Sequence, residues 1–149
     1  MAQPLTCFSH SIEGIGFALA LYRAHVIGGQ GERFMQLDAI RDYHAHVYYE
    51  AQTKPQAQAL RERMEQLFPQ ARFGRWHDVP VGPHPSAMFQ VAFGVELFET
   101  LVPWLILNRS PLTIFLHPQT GEPRADHSLR AVWMGPAQEI ALHKLPERD

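Results

Sequence analysis

At 149 residues, 46% hydrophobic and 19% charged, the chain has the length and apolar content for one compact domain with a sizeable core, and its composition excludes a disordered protein. A net charge of −2 and a pI near 6.5, with 13 Lys and Arg spread along the sequence, exclude the clustered basic footprint of a nucleic-acid-binding surface. The single cysteine, Cys7, cannot close an internal disulfide and points to a reducing, cytoplasmic setting.

Residues 1–34 read as an N-terminal extension, a short helix or a loose arm, and are also compatible with an over-extended reading frame. The apolar run from Gly14 to Ile27 is interrupted by Arg23 and His25. It is too short and polar to span a bilayer and lacks the basic segment of a signal peptide, so no membrane partner is expected. Gly28-Gly29-Gln30-Gly31 breaks any helix, and a single domain is expected over residues 35–149.

From Asp42 the pattern becomes regular. Asp42-Tyr43-His44-Ala45-His46-Val47-Tyr48-Tyr49 alternates as a half-buried strand, with Tyr43, Ala45, Val47 and Tyr49 on one face and His44, His46 and Tyr48 on the other. Thr53 as N-cap, Pro55 in the first turn, and Ala57, Leu60, Met64, Leu67 and Phe68 at helical spacing predict an amphipathic helix closed by Pro69. Arg72 to His77 reads as an edge strand. The prolines of Val79-Pro80-Val81-Gly82-Pro83-His84-Pro85 dictate a stiff loop that presents His84.

A third strand is predicted from Ala87 to Phe93, and a second, largely buried helix from Glu96 to Leu107, kinked or split at Pro103. Leu112 to His117 reads as a well-covered fourth strand, Pro118-Gln119-Thr120-Gly121 as a turn, and Ala131-Val132-Trp133-Met134-Gly135 as a last short apolar run in a C-terminal tail. The order strand, helix, strand, strand, helix, strand predicts an α+β, ferredoxin-like split βαβ fold. Its four-stranded antiparallel sheet carries both helices on one face and leaves the other open. His44, His46, Gln90, Thr113, Phe115 and His117 then share the open face, and the wet Phe115 and Met88 on it suggest a homodimer.

The motifs Tyr43-His44-Ala45-His46-Val47-Tyr48, Pro80-Val81-Gly82-Pro83-His84-Pro85, Asn108-Arg109, Leu116-His117-Pro118-Gln119-Thr120-Gly121 and Asp126-His127 occur in this order between Asp42 and Gly135. Together they resemble the fungal-type DOPA 4,5-dioxygenase family, which also has small bacterial members. The resemblance implies a ferredoxin-like fold and extradiol ring cleavage of a catechol such as DOPA, with a small aromatic substrate and dioxygen as partners. It does not reach residues 1–34 or fix the substrate.

Extradiol cleavage requires an Fe(II) ion with few protein ligands and open positions, and imidazole suits iron; zinc or another divalent ion can occupy such a site in isolated protein. Three of His44, His46, His84 and His117 are the expected ligands, with His127 beside Asp126 as acid/base. Arg109 and Arg124 are weaker candidates for holding a substrate carboxylate. Each feature also has a plainer explanation. His-x-His on a strand is often surface polarity, His84 can simply shape its loop, Asp126-His127 can be a turn, and His10, His25, His77 and His143 read as solvated. Trp104 and Trp133 read as core. Two other functions compete: a ferredoxin-like small-molecule-binding module without dioxygenase activity, and a zinc hydrolase. The hydrolase is disfavoured because no Asp or Glu is expected on the face of His44 and His46 to activate water.

Overall fold

The alternating stretch from Asp42 becomes the middle strand of the sheet. The structure, a computed structural model, describes residues 36–148, so the extension expected over residues 1–34, with Cys7, His10 and His25, lies outside the described residues. In chain order the main elements are β1 (Asp42–Tyr48), α1 (Lys54–Leu67), β2 (Arg72–His77), β3 (Met88–Phe93), α2 (Phe98–Asn108), β4 (Thr113–Gln119), the four-residue helical turn α3 (Pro123–Asp126) and β5 (Val132–Met134). All strand pairs are antiparallel, in the spatial order β2-β3-β1-β4-β5.

The first four strands follow the expected order, but the sheet has five strands, not four. The fifth comes from the short apolar run: Met134 pairs with Ile114, Trp133 with Phe115 and Val132 with Leu116. Three residues are too few to declare a period in the sequence. They hold as a strand because Met134 enters the main core while Trp133 packs on Phe115 on the opposite face.

Both helices pack on one face. Ala57, Leu60 and Met64 of α1 and Leu101, Val102 and Leu105 of α2 meet Ala45, Val47, Phe89, Val91, Phe93, Ile114 and Leu116 in one core. Burying each of the larger side chains contributes about 1.5–3 kcal/mol. Two local expectations change. Thr53 makes no capping bond to the helix; its Oγ1 accepts the Glu50 N–H at 2.9 Å instead. Pro103 does not split α2, because Pro103 and Glu99, whose carbonyl loses its partner, both lie on the exposed side where water can serve that oxygen.

The other face is covered, not open. Tyr48, Met88 and Phe115 form a second cluster under Val81, Ala131, Trp133 and Ile140, which belong to the proline-rich loop and the chain after α3. These segments are pinned together, the Ala141 N–H donating to the Pro83 carbonyl at 2.9 Å and the Ser86 hydroxyl to Gln138 at 2.9 Å. Phe115 is therefore 0% and Met88 4% exposed within a single chain, which removes the physical basis on which a homodimer was expected. No helix among the described residues is long and apolar enough to cross a membrane.

Candidate metal centre

The register of β1 brings its histidines together with that of β4. His44 stands directly opposite His117, and His46 lies opposite Phe115 on one side and Gln90 on the other. Since alternate residues of a strand share a face, His44, His46, Tyr48 and His117 all point away from the helices. Nε2 of His46 and Nε2 of His117 are 3.1 Å apart.

Two further imidazoles arrive from the covering segments. His84 is held in a tight loop by its own N–H to the Val81 carbonyl, with Gly82 at φ 58°, a conformation that favours glycine. Its ring lies 4.0 Å from that of His46, centroid to centroid. His127 follows α3, and its ring lies 3.9 Å from His117, 5.8 Å from His84 and 6.2 Å from His46. The candidate ligand nitrogens of His44, His46 and His117 lie within 4.8 Å of one another, as do those of His46, His84 and His127, so His46 belongs to both groups.

Hydrogen bonds at Nδ1 orient these rings. A carbonyl can only accept, so the contacts of Nδ1 with Pro118 O in His117 (2.9 Å) and with Pro123 O in His127 (2.8 Å) are N–H donations, which leave the lone pair of both rings on Nε2, that of His117 facing Nε2 of His46. His44 Nδ1 meets the Gln119 side-chain amide at 2.9 Å, a group that can offer either N–H or oxygen by rotating. His84 Nδ1 meets the Tyr48 hydroxyl at 2.7 Å. Nδ1 of His46 is buried without a partner.

Burial keeps the cluster neutral. It lowers His46 well below the usual histidine range, with the neighbouring histidines adding to the effect, and brings His84 to about 4 and His117 to about 3. His44 and His127 are also lowered by burial, against partial opposition from Asp42 in the first case and from the Pro123 carbonyl and Asp126 in the second. Near pH 7 the site is a set of uncharged imidazoles, the state that binds metal.

The donor set fits a divalent ion. Two neighbouring nitrogens held at about 2.0–2.1 Å from one ion sit about 2.8–3.4 Å apart for right-angle to tetrahedral geometry, a range that includes the 3.1 Å between His46 and His117. An orphaned buried nitrogen on His46 marks a group whose polar needs the folded chain alone does not meet. All-imidazole donors suit Fe, Zn, Cu or Ni rather than Mg or Ca.

Other expected residues fall elsewhere. Arg109 donates to the Leu112 carbonyl at 2.7 Å, and Arg124 donates to the Leu145 carbonyl and pairs with Glu147, both at 3.1 Å. The Asp126 carboxylate, 0% exposed, turns to the Thr120 N–H and hydroxyl and to Arg130, and the Nδ1 partner of His127 is a backbone carbonyl. A carboxylate does share the β1 face, contrary to expectation: Asp42 lies 3.9 Å from His44 Nε2, with its other oxygen paired to Arg72 at 2.8 Å. His77 is half-buried, and its charge contributes to lowering His84, so it is less detached than a solvated residue would be. His143 is exposed, Trp104 packs against the main core beside Phe68, and Trp133 lies under the histidine face on Phe115 and Tyr48. Sequence reasoning assigned no role to Tyr48 or Gln119, although their positions two residues from His46 and His117 put both on the cluster face.

A model of the Dopa 4,5-dioxygenase family matches residues 43–144. An uncharacterized 21.2 kDa protein of Botryotinia fuckeliana is 39% identical over 104 residues, covering 62% of this chain and 57% of that protein. The DOPA 4,5-dioxygenase of Amanita muscaria is 31% identical over 115 residues, covering 72% of this chain and 50% of that protein. The chain thus spans about half the length of these curated relatives. A crystal structure from Nostoc punctiforme, described as that of a candidate dioxygenase, superposes with a TM-score of 0.72 at 40% identity, covering 74% of this chain and 95% of that one. With a family match that contains all five clustered histidines and covers well over half of the chain, the chain belongs to the Dopa 4,5-dioxygenase family.

Proposed function

We propose that the protein is an extradiol ring-cleaving dioxygenase for a catechol such as DOPA, with Fe(II) held by His44, His46 and His117 and with His127 as the acid/base. The observation that carries this reading is the gathering of five histidines over one sheet face, His46, His84, His117 and His127 buried and His44 half-buried, with the ligand nitrogens of His44, His46 and His117 within 4.8 Å of one another. Bound iron would supply a centre able to hold both catechol oxygens together with dioxygen, and zinc would fit the same nitrogens in isolated protein.

The chain's own groups support the rest of the task. An uncharged ligand set leaves the full charge of a dication to attract an anionic catechol oxygen. The free Nε2 lone pair of His127, fixed by the Pro123 carbonyl, suits a base that takes a catechol hydroxyl proton. Tyr48, Phe115 and Trp133 exclude water from the floor of the cluster. Arg109 or Arg124 would hold a substrate carboxylate only by releasing the carbonyls they now bind.

Metal analysis of protein purified without oxygen, followed by a catechol screen under air, tests the proposal. Near-stoichiometric Fe(II) and a new yellow absorbance with DOPA or a related catechol are expected. Protein that holds no divalent metal, or that holds iron and leaves every catechol untouched, would replace this reading with a small-molecule-binding module.

A further inference from the structure

Tyr48 shares the cluster face and so far has no part beyond packing. It is 3% exposed, its ring stacks on Trp133 at 5.8 Å, and its hydroxyl lies 2.7 Å from Nδ1 of His84. A tyrosine hydroxyl, with an ordinary pKa of about 10, keeps its proton near pH 7. Among the described residues, Nδ1 of His84 is the hydrogen-bond partner of that hydroxyl. A buried O–H without an acceptor is unfavourable, so the hydroxyl donates and Nδ1 carries the lone pair. A neutral imidazole with its lone pair on Nδ1 carries its hydrogen on Nε2.

We propose that Tyr48 is a positioning residue that fixes His84 as the Nε2–H tautomer, so that His84 offers a hydrogen-bond donor, not a lone pair, to an anionic oxygen of the substrate. What touches Nδ1 sets the imidazoles in opposite senses. A carbonyl does so in His117 and His127, leaving lone pairs on Nε2, and a hydroxyl does so in His84, leaving N–H there. A ring whose Nδ1 accepts the Tyr48 hydroxyl is neutral, so His84 can donate without adding positive charge beside a dication. Naming the oxygen as the substrate's rests on the dioxygenase reading; the tautomer rests on Tyr48 and His84 alone.

Two-bond proton–nitrogen correlation spectra of metal-free protein carrying nitrogen-15 histidine report the tautomer directly and need no variant. The hydrogen of His84 is expected on Nε2. In Tyr48→Phe, which keeps the ring on Trp133, zinc affinity measured by titration is expected to stay unchanged, while kcat for catechol cleavage falls by about 10–100-fold with KM nearly constant. A hydrogen on Nδ1 of His84 in the unaltered protein would overturn the proposal. So would a loss of about tenfold or more in zinc affinity in Tyr48→Phe, which would make His84 a ligand and Tyr48 the acceptor of its N–H. Protein that cleaves no catechol yet shows the Nε2–H tautomer and unaltered zinc affinity in Tyr48→Phe would lose the dioxygenase reading and keep Tyr48 as the residue that orients His84.

Discussion

Replacing Asp126 by alanine tests whether the carboxylate acts through the turn that carries His127. Asp126 is fully buried and accepts the Thr120 N–H at 2.9 Å, the Thr120 hydroxyl at 2.8 Å and Arg130 at 2.9 Å. Burial works to raise its pKa, but these donors outweigh it and hold the group below the usual carboxylate range, so it is ionised at pH 7. In Asp126→Ala the guanidinium of Arg130 keeps Glu122 at 2.6 Å and the Thr120 oxygen at 2.7 Å, so the loss falls on the two Thr120 donors. A buried donor left unmade costs about 1–3 kcal/mol, and Thr120 is half-buried, so the expected destabilisation is about 2–4 kcal/mol. For a domain of this size that corresponds to a fall in melting temperature of about 8–16 °C. Calorimetry of metal-free protein at pH 7 measures it directly. Asp126→Asn, which retains one oxygen acceptor, should fall less. A melting temperature within about 2 °C of the parent for Asp126→Ala would show that the turn does not depend on this carboxylate, and the argument would fail.

Single substitutions should separate the histidines. His46→Ala and His117→Ala should lose bound iron and turnover together, as metal analysis and catechol assays would show, whereas full iron content in His46→Ala would refute the ligand set proposed for the sheet. His127→Ala should keep its iron while turnover falls by about 10²–10⁴-fold; loss of the metal instead would make His127 a ligand. Exposed His143→Ala serves as the control and should change neither property. The buried histidines should also set the acid stability of the metal-free protein. Their folded pKa values lie below the unfolded value of 6.5, so below pH 6.5 the unfolded chain takes up protons that the folded chain refuses. Stability should therefore drop from pH 6.5 towards about 4 for His84 and about 3 for His117, by up to about 1.4 kcal/mol per pH unit for each histidine. Urea midpoints that stay flat between pH 7 and 5 would contradict this.

Most of the sheet was legible because its strands alternate cleanly. Tyr43, Ala45 and Val47 against His44, His46 and Tyr48 give both the strand and its facing, and once β4 is placed beside β1 the approach of His117 to His44 follows from register. β5 was not legible, since three residues cannot display a period and Val132 is left 55% exposed. The covering of the second face was not legible either. Ile140 is one apolar residue in an aperiodic tail, and its place over Tyr48, Met88 and Phe115 is fixed by long-range contacts that leave no local signal. The orientation of Asp126 was hidden for a similar reason: adjacency to His127 suggests a pair, but successive residues of a helical turn point in different directions, and the carboxylate faces Thr120 and Arg130 instead.

That covering changes what must hold the cluster in place. His44, His46 and His117 sit on ladder-bonded strands and inherit their rigidity from the sheet. His84 and His127 hang from a loop and a four-residue helical turn, neither of which has a ladder of its own. Beyond their local hydrogen bonds, further restraint comes from the chain beyond β5, which contributes no histidine to the cluster: the Ala141 N–H bonds the Pro83 carbonyl next to His84, Gln138 accepts from Ser86, and the Leu145 carbonyl accepts from Arg124 three residues before His127. Ile140 lies between these attachments, on the apolar cluster that backs the histidine face. The C-terminal segment thus ties the loop of His84 and the turn of His127 to the rest of the fold, and the histidine cluster depends both on the strands and on these attachments.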